Sequence, residues 1–153
     1  MKNFILALLD CPECRKGSLK LKTTQEQEGE IISGEISCSC GKVYPVVNGI
    51  PRFLKDYHKS SQVQKRFEHQ WKKWGRDEVI FGRTKEESKK FFIDFSGSAV
   101  NPEYLKGKIS LDGGCGHGRF TEIMAEFGAF SVGLDIGSGV EIARQRVNKY
   151  PKN

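Results

Sequence analysis

The run Leu111-Asp112-Gly113-Gly114-Cys115-Gly116-His117-Gly118-Arg119-Phe120 constrains the fold of this chain more than any other stretch. A strand-like segment, Lys108 to Leu111, ends in an acid, and a glycine-dense turn then opens a helix-like segment. Glycine lets the backbone approach a ligand closely and take up conformations that other residues avoid. The helix that follows offers free N–H groups and a positive dipole end to an anion. Together these features predict a nucleotide cradle.

The spacing narrows the ligand. Asp112-x-Gly114-x-Gly116-x-Gly118 reads D-x-G-x-G-x-G, and no Lys-Ser or Lys-Thr pair follows, which excludes a phosphate-gripping P-loop. Downstream, Val132-Gly133-Leu134-Asp135-Ile136 is a second short apolar strand ending in an acid. An acid about 20 residues beyond such a turn suits a ribose diol, because a carboxylate accepts both hydroxyl hydrogens. A lone glycine turn would fit tight packing equally well. The turn, the amphipathic helix after it and the second acid-ended strand together favour a ligand.

These residues resemble class I S-adenosylmethionine-dependent methyltransferases. In that family the first glycine motif wraps the methionine part of the cofactor, and the acid ending strand two binds the ribose. The resemblance implies cofactor-binding roles for Asp112, Gly114, Gly116, Gly118, Asp135 and the adjacent Ile136. Cys115 has no activating base nearby in sequence and is expected to pack as a small apolar side chain. His117 is expected at the surface, with a place at the pocket mouth as the alternative.

The N-terminal segment carries a different constraint. Cys11-Pro12-Glu13-Cys14 is a C-x2-C knuckle, and Cys38-Ser39-Cys40 supplies a second pair after 23 intervening residues. Two close thiol pairs match the four N or S ligands that close a structural zinc site. The second pair is C-x-C rather than the usual C-x2-C. Cys11, Cys14, Cys38 and Cys40 are therefore the candidate metal ligands, with Cys115 free. Disulfides are the rival reading. The apolar run Phe4 to Leu9 is too short for a signal-peptide core or a membrane span, so a reducing, cytoplasmic location and a metal are expected.

Between the knuckles Leu19, Leu21 and Thr23 alternate with Lys20, Lys22 and Thr24, as in a strand with one buried face. Gln25 to Glu30 reads as a polar turn, and Ile31, Ile32 and Ile36 as the returning strand. Asn48-Gly49 between apolar residues predicts a type I′ hairpin. The Cys-Pro-x-Cys knuckle and the run Cys40-Gly41-Lys42-Val43-Tyr44-Pro45-Val46-Val47-Asn48-Gly49-Ile50-Pro51 resemble the small zinc-ribbon proteins that activate transfer-RNA methyltransferases. They are also similar to the ribbon fused ahead of many methyltransferase domains.

The middle of the chain reads as helical. Ser61-Gln62-Val63-Gln64 and Thr84-Lys85-Glu86-Glu87 have the capping-box pattern. Val63, Phe67, Trp71 and Trp74 recur at helical spacing up to Gly75, and Phe91, Phe92 and Phe95 up to Gly97. Asn101-Pro102 places proline where a helix begins. The resemblance implies a cap over the cofactor pocket. The net charge of +6 is concentrated here, with twelve basic and seven acidic side chains in residues 59–108. Such lysines are more often solvated helix faces than nucleic-acid contacts, so nucleic acid is the less favoured partner.

The expected fold class is α/β: a β-rich zinc ribbon over residues 1–57, a helical connector over 58–107, and the N-terminal part of a Rossmann-like methyltransferase sheet over 108–153. One more helix is readable, Val140 to Lys149. The family's sheet has seven strands, and only the first two are legible. The chain is thus expected to carry part of the cofactor site, to be inactive alone, and to self-associate or take a partner over the incomplete sheet. The implied function is methyl transfer from S-adenosylmethionine to a small-metabolite, sugar or lipid-linked acceptor. Ribosomal or transfer-RNA methylation and a non-catalytic zinc-ribbon adaptor are the alternatives.

Overall fold

The computed structural model of the chain describes residues 1–16, 18–55, 62–74, 82–97 and 100–150. It is a mixed α/β protein with a four-stranded antiparallel sheet, a two-stranded parallel sheet and several helices. The chain divides into two compact units, Met1–His58 and Lys59–Asn153. Among the described residues no helix is long and apolar enough to cross a membrane.

In the first unit the apolar run after Met1 forms a short 3-10 helix, Asn3–Leu8. Its Ile5 and Leu6, with Leu9, pack on the sheet. Strand β1 (Leu19–Gln27) pairs antiparallel with β2 (Glu30–Cys38), β2 with β3 (Val43–Val47), and β3 with β4 (Ile50–Pro51). The expected polar turn over Gln25 to Glu30 is shorter than that. Strand β1 continues to Gln27, and only Glu28 and Gly29 turn, both at positive φ. The polar side chains of Gln25 and Gln27 do not end the strand because the ladder needs only backbone groups there. Asn48 and Gly49 also have positive φ, 52° and 72°, as the predicted type I′ turn requires. Ile31, Ile36, Val46, Tyr44 and Cys11 form the buried core. Removing each large aliphatic side chain from water contributes about 1.5–3 kcal/mol.

In the second unit, helix α1 (Gln62–Trp74) and helix α2 (Lys85–Ser96) precede a single turn, α3 (Pro102–Leu105). Thr84 and Glu87 make the predicted capping box: the Thr84 hydroxyl accepts from Glu87 N at 3.2 Å, and Glu87 Oε2 accepts from Thr84 N at 2.7 Å. Asn101 Oδ1 caps α3 by accepting from Tyr104 N at 2.8 Å. The predicted Ser61 capping box and the Gly75 stop lie outside the described residues, as do the side chains of Val63 and Trp74.

Strand β5 (Ile109–Gly113), helix α4 (Arg119–Glu126), strand β6 (Phe130–Leu134) and helix α5 (Gly139–Val147) complete the unit. The two strands are parallel neighbours, with Ile109 opposite Phe130 and Asp112 opposite Gly133. The core beneath α4 is Phe92, Leu105, Ile123, Met124 and Ala129. Glu122 of α4 is buried as well, held by Arg146 at 2.6 Å, Lys85 at 3.4 Å and Lys149 at 3.7 Å. Burial opposes its charge, but the Arg146 hydrogen bond and the three cations keep its carboxyl below the usual range. The helix-facing side of the sheet is polar, with Ser110 and Ser131 hydroxyls 3.0 Å apart. Its other side exposes Ile109, Leu111 and Leu134.

Candidate metal centre and candidate ligand turn

The four cysteines come from two turns that the sheet brings together. Cys11 and Cys14 bracket a tight turn closed by Arg15 N donating to Cys11 O at 2.8 Å, with Arg15 at φ 55°. Cys38 ends β2, and the chain doubles back so that Cys38 N donates to Lys42 O at 2.8 Å. The four sulfur atoms all lie within 4.8 Å of one another. Cys11 Sγ is 3.7 Å from Cys40 Sγ, and Cys14 Sγ is 3.6 Å from Cys38 Sγ. A tetrahedron of thiolates about 2.3 Å from one ion has edges of about 3.8 Å, so the group fits zinc. A disulfide needs about 2.05 Å, and all five cysteines are free. The C-x-C pair brings both its sulfurs to the cluster with Cys38 at the end of the strand and Cys40 on the turn after it. The amide of Cys40 also points at the sulfur of Cys38, 3.5 Å away.

The sulfurs are not equivalent. Cys11 is fully buried, and the hydroxyl of Tyr44 lies 3.1 Å from its sulfur. That hydrogen bond, opposed by burial and aided by the amides of Cys14 and Glu13, lowers the Cys11 thiol to about 6. For Cys40 the Lys42 amide pulls downward, but Cys38, burial, Cys14 and Cys11 outweigh it and lift the thiol to about 12. Four thiols this close compete for negative charge, and a divalent cation at their centre relieves the competition.

In the second unit the glycine turn joins β5 to α4. Its three alternate glycines have φ of 78°, 54° and 82° at Gly114, Gly116 and Gly118. Their surroundings separate their roles. A Cβ on Gly118 would sit 2.6 Å from Cα and Cβ of Ala143, so this glycine lets α5 approach. A Cβ on Gly116 would meet the Trp71 ring at 3.0 Å. A Cβ on Gly114 would meet nothing within 4 Å. Of the three, Gly114 alone faces open space.

The two acids also divide their work. Asp112 Oδ2 accepts from the Thr121 hydroxyl at 2.6 Å. Asp135 follows β6 directly, and its two oxygens accept from Gly116 N at 2.8 Å and Gly137 N at 2.7 Å. Asp135 therefore ties the end of β6 to the glycine turn. Each of its carboxylate oxygens keeps a further lone pair. Ile136 is exposed, and its carbonyl accepts from Gln64 Nε2 of α1 at 2.8 Å.

His117 is not at the surface as expected but buried, with 3% exposed. Helix α1 covers it: the Trp71 indole stacks on the imidazole at 4.5 Å, with the rings 5° from parallel. Burial first, then the charges of Arg146 and Arg119, lower its pKa to about 4. Cys115 is buried as expected. Burial, with the charges of Asp112 and Asp135, lifts its thiol to about 12, the opposite of an activated nucleophile.

Sequence reasoning assigned no role to Tyr44, Trp71 or Thr121 as partners of these sites. Tyr44 is visible only as the aromatic residue four beyond Cys40, and Trp71 only as one member of a helical stripe. Set against protein-family models and curated proteins, the chain matches none.

Proposed function

We propose that the Lys59–Asn153 unit binds S-adenosylmethionine at the turn between β5 and α4 and that the chain serves methyl transfer to a small-molecule or lipid-linked acceptor. The metal of the ribbon is zinc, in a structural role. The observation that carries the reading is the arrangement around Gly114. Asp112 near the end of one strand and Asp135 just past the end of its parallel neighbour flank a glycine turn whose first alternate glycine faces open space. The residues fit such a cofactor in kind. Gly114 leaves room for an amino-acid portion, and Asp135 retains acceptor capacity for a diol after holding Gly116 and Gly137. Asp135 orients the turn as well as offering its lone pairs. Thr121 fixes the carboxylate of Asp112. Bound S-adenosylmethionine supplies a sulfonium methyl open to direct displacement, a step that depends on proximity and in-line orientation.

Calorimetry with S-adenosylmethionine and the full chain tests this. Asp135→Ala should weaken binding, each lost buried hydrogen bond costing on the order of 1–3 kcal/mol. Gly114→Val should abolish it by filling the open space. Because Asp135 also supports the turn, each variant is checked for folding by circular dichroism. Unchanged affinity in both folded variants overturns the assignment.

A further inference from the structure

The hydroxyl of Tyr44 meets Cys11 in the interior of the ribbon. Tyr44 is 7% exposed and Cys11 0%, so neither group is offered to bulk water. The ring of Tyr44 is held from the side by Phe53, with ring centres 5.0 Å apart and planes tilted by 58°. Its strand position, opposite Ile36 in the β2–β3 ladder, fixes the direction in which the phenol points. The Oη–Sγ distance is 3.1 Å. A sulfur that ligates a metal carries no hydrogen, so across this contact the phenol O–H is the donor.

We propose that Tyr44 is a positioning residue of the metal centre: its hydroxyl donates to the Cys11 thiolate, orients that ligand and withdraws electron density from its sulfur. The inference rests on the reading of the four cysteines as a metal site. Such partners of metal ligands fix ligand orientation and tune the ligand's donor strength, and losing one commonly costs 10–100-fold in metal affinity. The other three cysteines receive no side-chain hydroxyl among the described residues. Cys38 receives the Cys40 amide, at 3.5 Å. The device therefore singles out Cys11, the most deeply buried ligand. It lowers the nucleophilicity of a thiolate that would otherwise be the one most isolated from water's hydrogen bonds.

Cobalt(II) substitution of the full chain gives a readout that packing alone does not move. A tetrahedral thiolate site produces sulfur-to-cobalt charge-transfer absorption, whose energy falls as the sulfur lone pairs rise. Tyr44→Phe keeps the ring and removes only the hydroxyl. It should shift that absorption to lower energy and weaken zinc retention against a chelator about tenfold or more. Phe53→Leu serves as the packing control: it loosens the support of Tyr44 but leaves the hydroxyl in place, and its spectrum should match the parent chain. An unmoved band in Tyr44→Phe, or equal shifts in both variants, overturns the inference while leaving the metal site standing. A parent chain with no tetrahedral thiolate spectrum overturns the metal reading, and this inference with it. If Tyr44→Phe does not take up cobalt at all while Phe53→Leu does, loss of the hydroxyl alone has emptied the site, which supports the inference.

Discussion

Gly114 and Gly118 do different jobs in the turn between β5 and α4. Gly118 is a packing residue, because Ala143 of α5 occupies the space that its side chain would need. Gly114 is a turn residue beside open space. Both have φ near 80°, so both carry the left-handed strain of roughly 1–2 kcal/mol when replaced by alanine. Gly118→Ala adds overpacking, typically 1–3 kcal/mol more. Urea unfolding should therefore show the larger loss for Gly118→Ala, by about 2 kcal/mol. Tryptophan fluorescence reports on this unit specifically, since Trp71 and Trp74 are the two tryptophans of the chain. Equal losses in the two variants would contradict the division of roles. The same comparison explains why spacing alone leaves the turn ambiguous. The D-x-G-x-G-x-G pattern is visible in the sequence, but which glycine faces a ligand depends on where α5 and Trp71 pack.

Helix α1 is the element whose docking decides the state of His117. The imidazole stacks against Trp71 of α1 and feels the charges of Arg119 and Glu122 of α4 and Arg146 of α5. Its two ring nitrogens have no hydrogen-bond partner among the described residues. In the unfolded chain it takes up a proton near 6.5, whereas in the fold it does so only near 4. Between these values the unfolded state binds more protons. The contribution of His117 is therefore fully present above pH 6.5 and is lost as the pH falls toward 4. The loss should be on the order of 2 kcal/mol by pH 4.5. His117→Phe keeps a flat ring beneath Trp71 and cannot titrate. Its stability, followed by tryptophan fluorescence from pH 7 to pH 4.5, should fall less steeply than that of the parent chain. Parallel curves would show that another group, Glu122 first among them, carries the acid sensitivity.

Elements of this kind were readable to different degrees, and the reason is range along the chain. The Asn48-Gly49 turn, the Thr84–Glu87 box and the two acid-ended strands depend on residues a few positions apart, so local pattern identifies them. The four cysteines are legible because their chemistry leaves few alternatives. The contacts that define the sites are long-range: Tyr44 lies 33 residues from Cys11, and Gln64 lies 72 from Ile136. No periodicity encodes such pairs. The expectation of a surface His117 failed for the same reason, because a polar residue in a glycine turn is exposed until a distant helix covers it. Strand β1 outran its predicted end because backbone pairing with β2 tolerates the glutamines there.

At the scale of the whole molecule the chain combines two units built on different principles. The Met1–His58 unit has a small core around Ile31, Ile36 and Val46 that takes in Cys11 and Cys38 of the four-thiol cluster. Metal binding would supply a large share of its stability, because the unfolded chain has no preformed site. The Lys59–Asn153 unit depends on the core under α4 and on the buried Glu122 cluster, with Lys85 and Lys89 paired to Glu126. Each unit has its own internal contacts, so each candidate ligand should come and go without the other.

Native mass spectrometry of the full chain, purified without added metal and then titrated with S-adenosylmethionine, reads both ligands on the same molecule. The chain as isolated should carry one zinc and should gain one S-adenosylmethionine on titration. Cys11→Ser should lose the zinc and keep the second adduct, while Gly114→Val should keep the zinc and lose the second adduct. A metal-free parent chain, or one that gains no saturable adduct with S-adenosylmethionine, would contradict the account. Retention of full zinc occupancy by Cys11→Ser would contradict it equally.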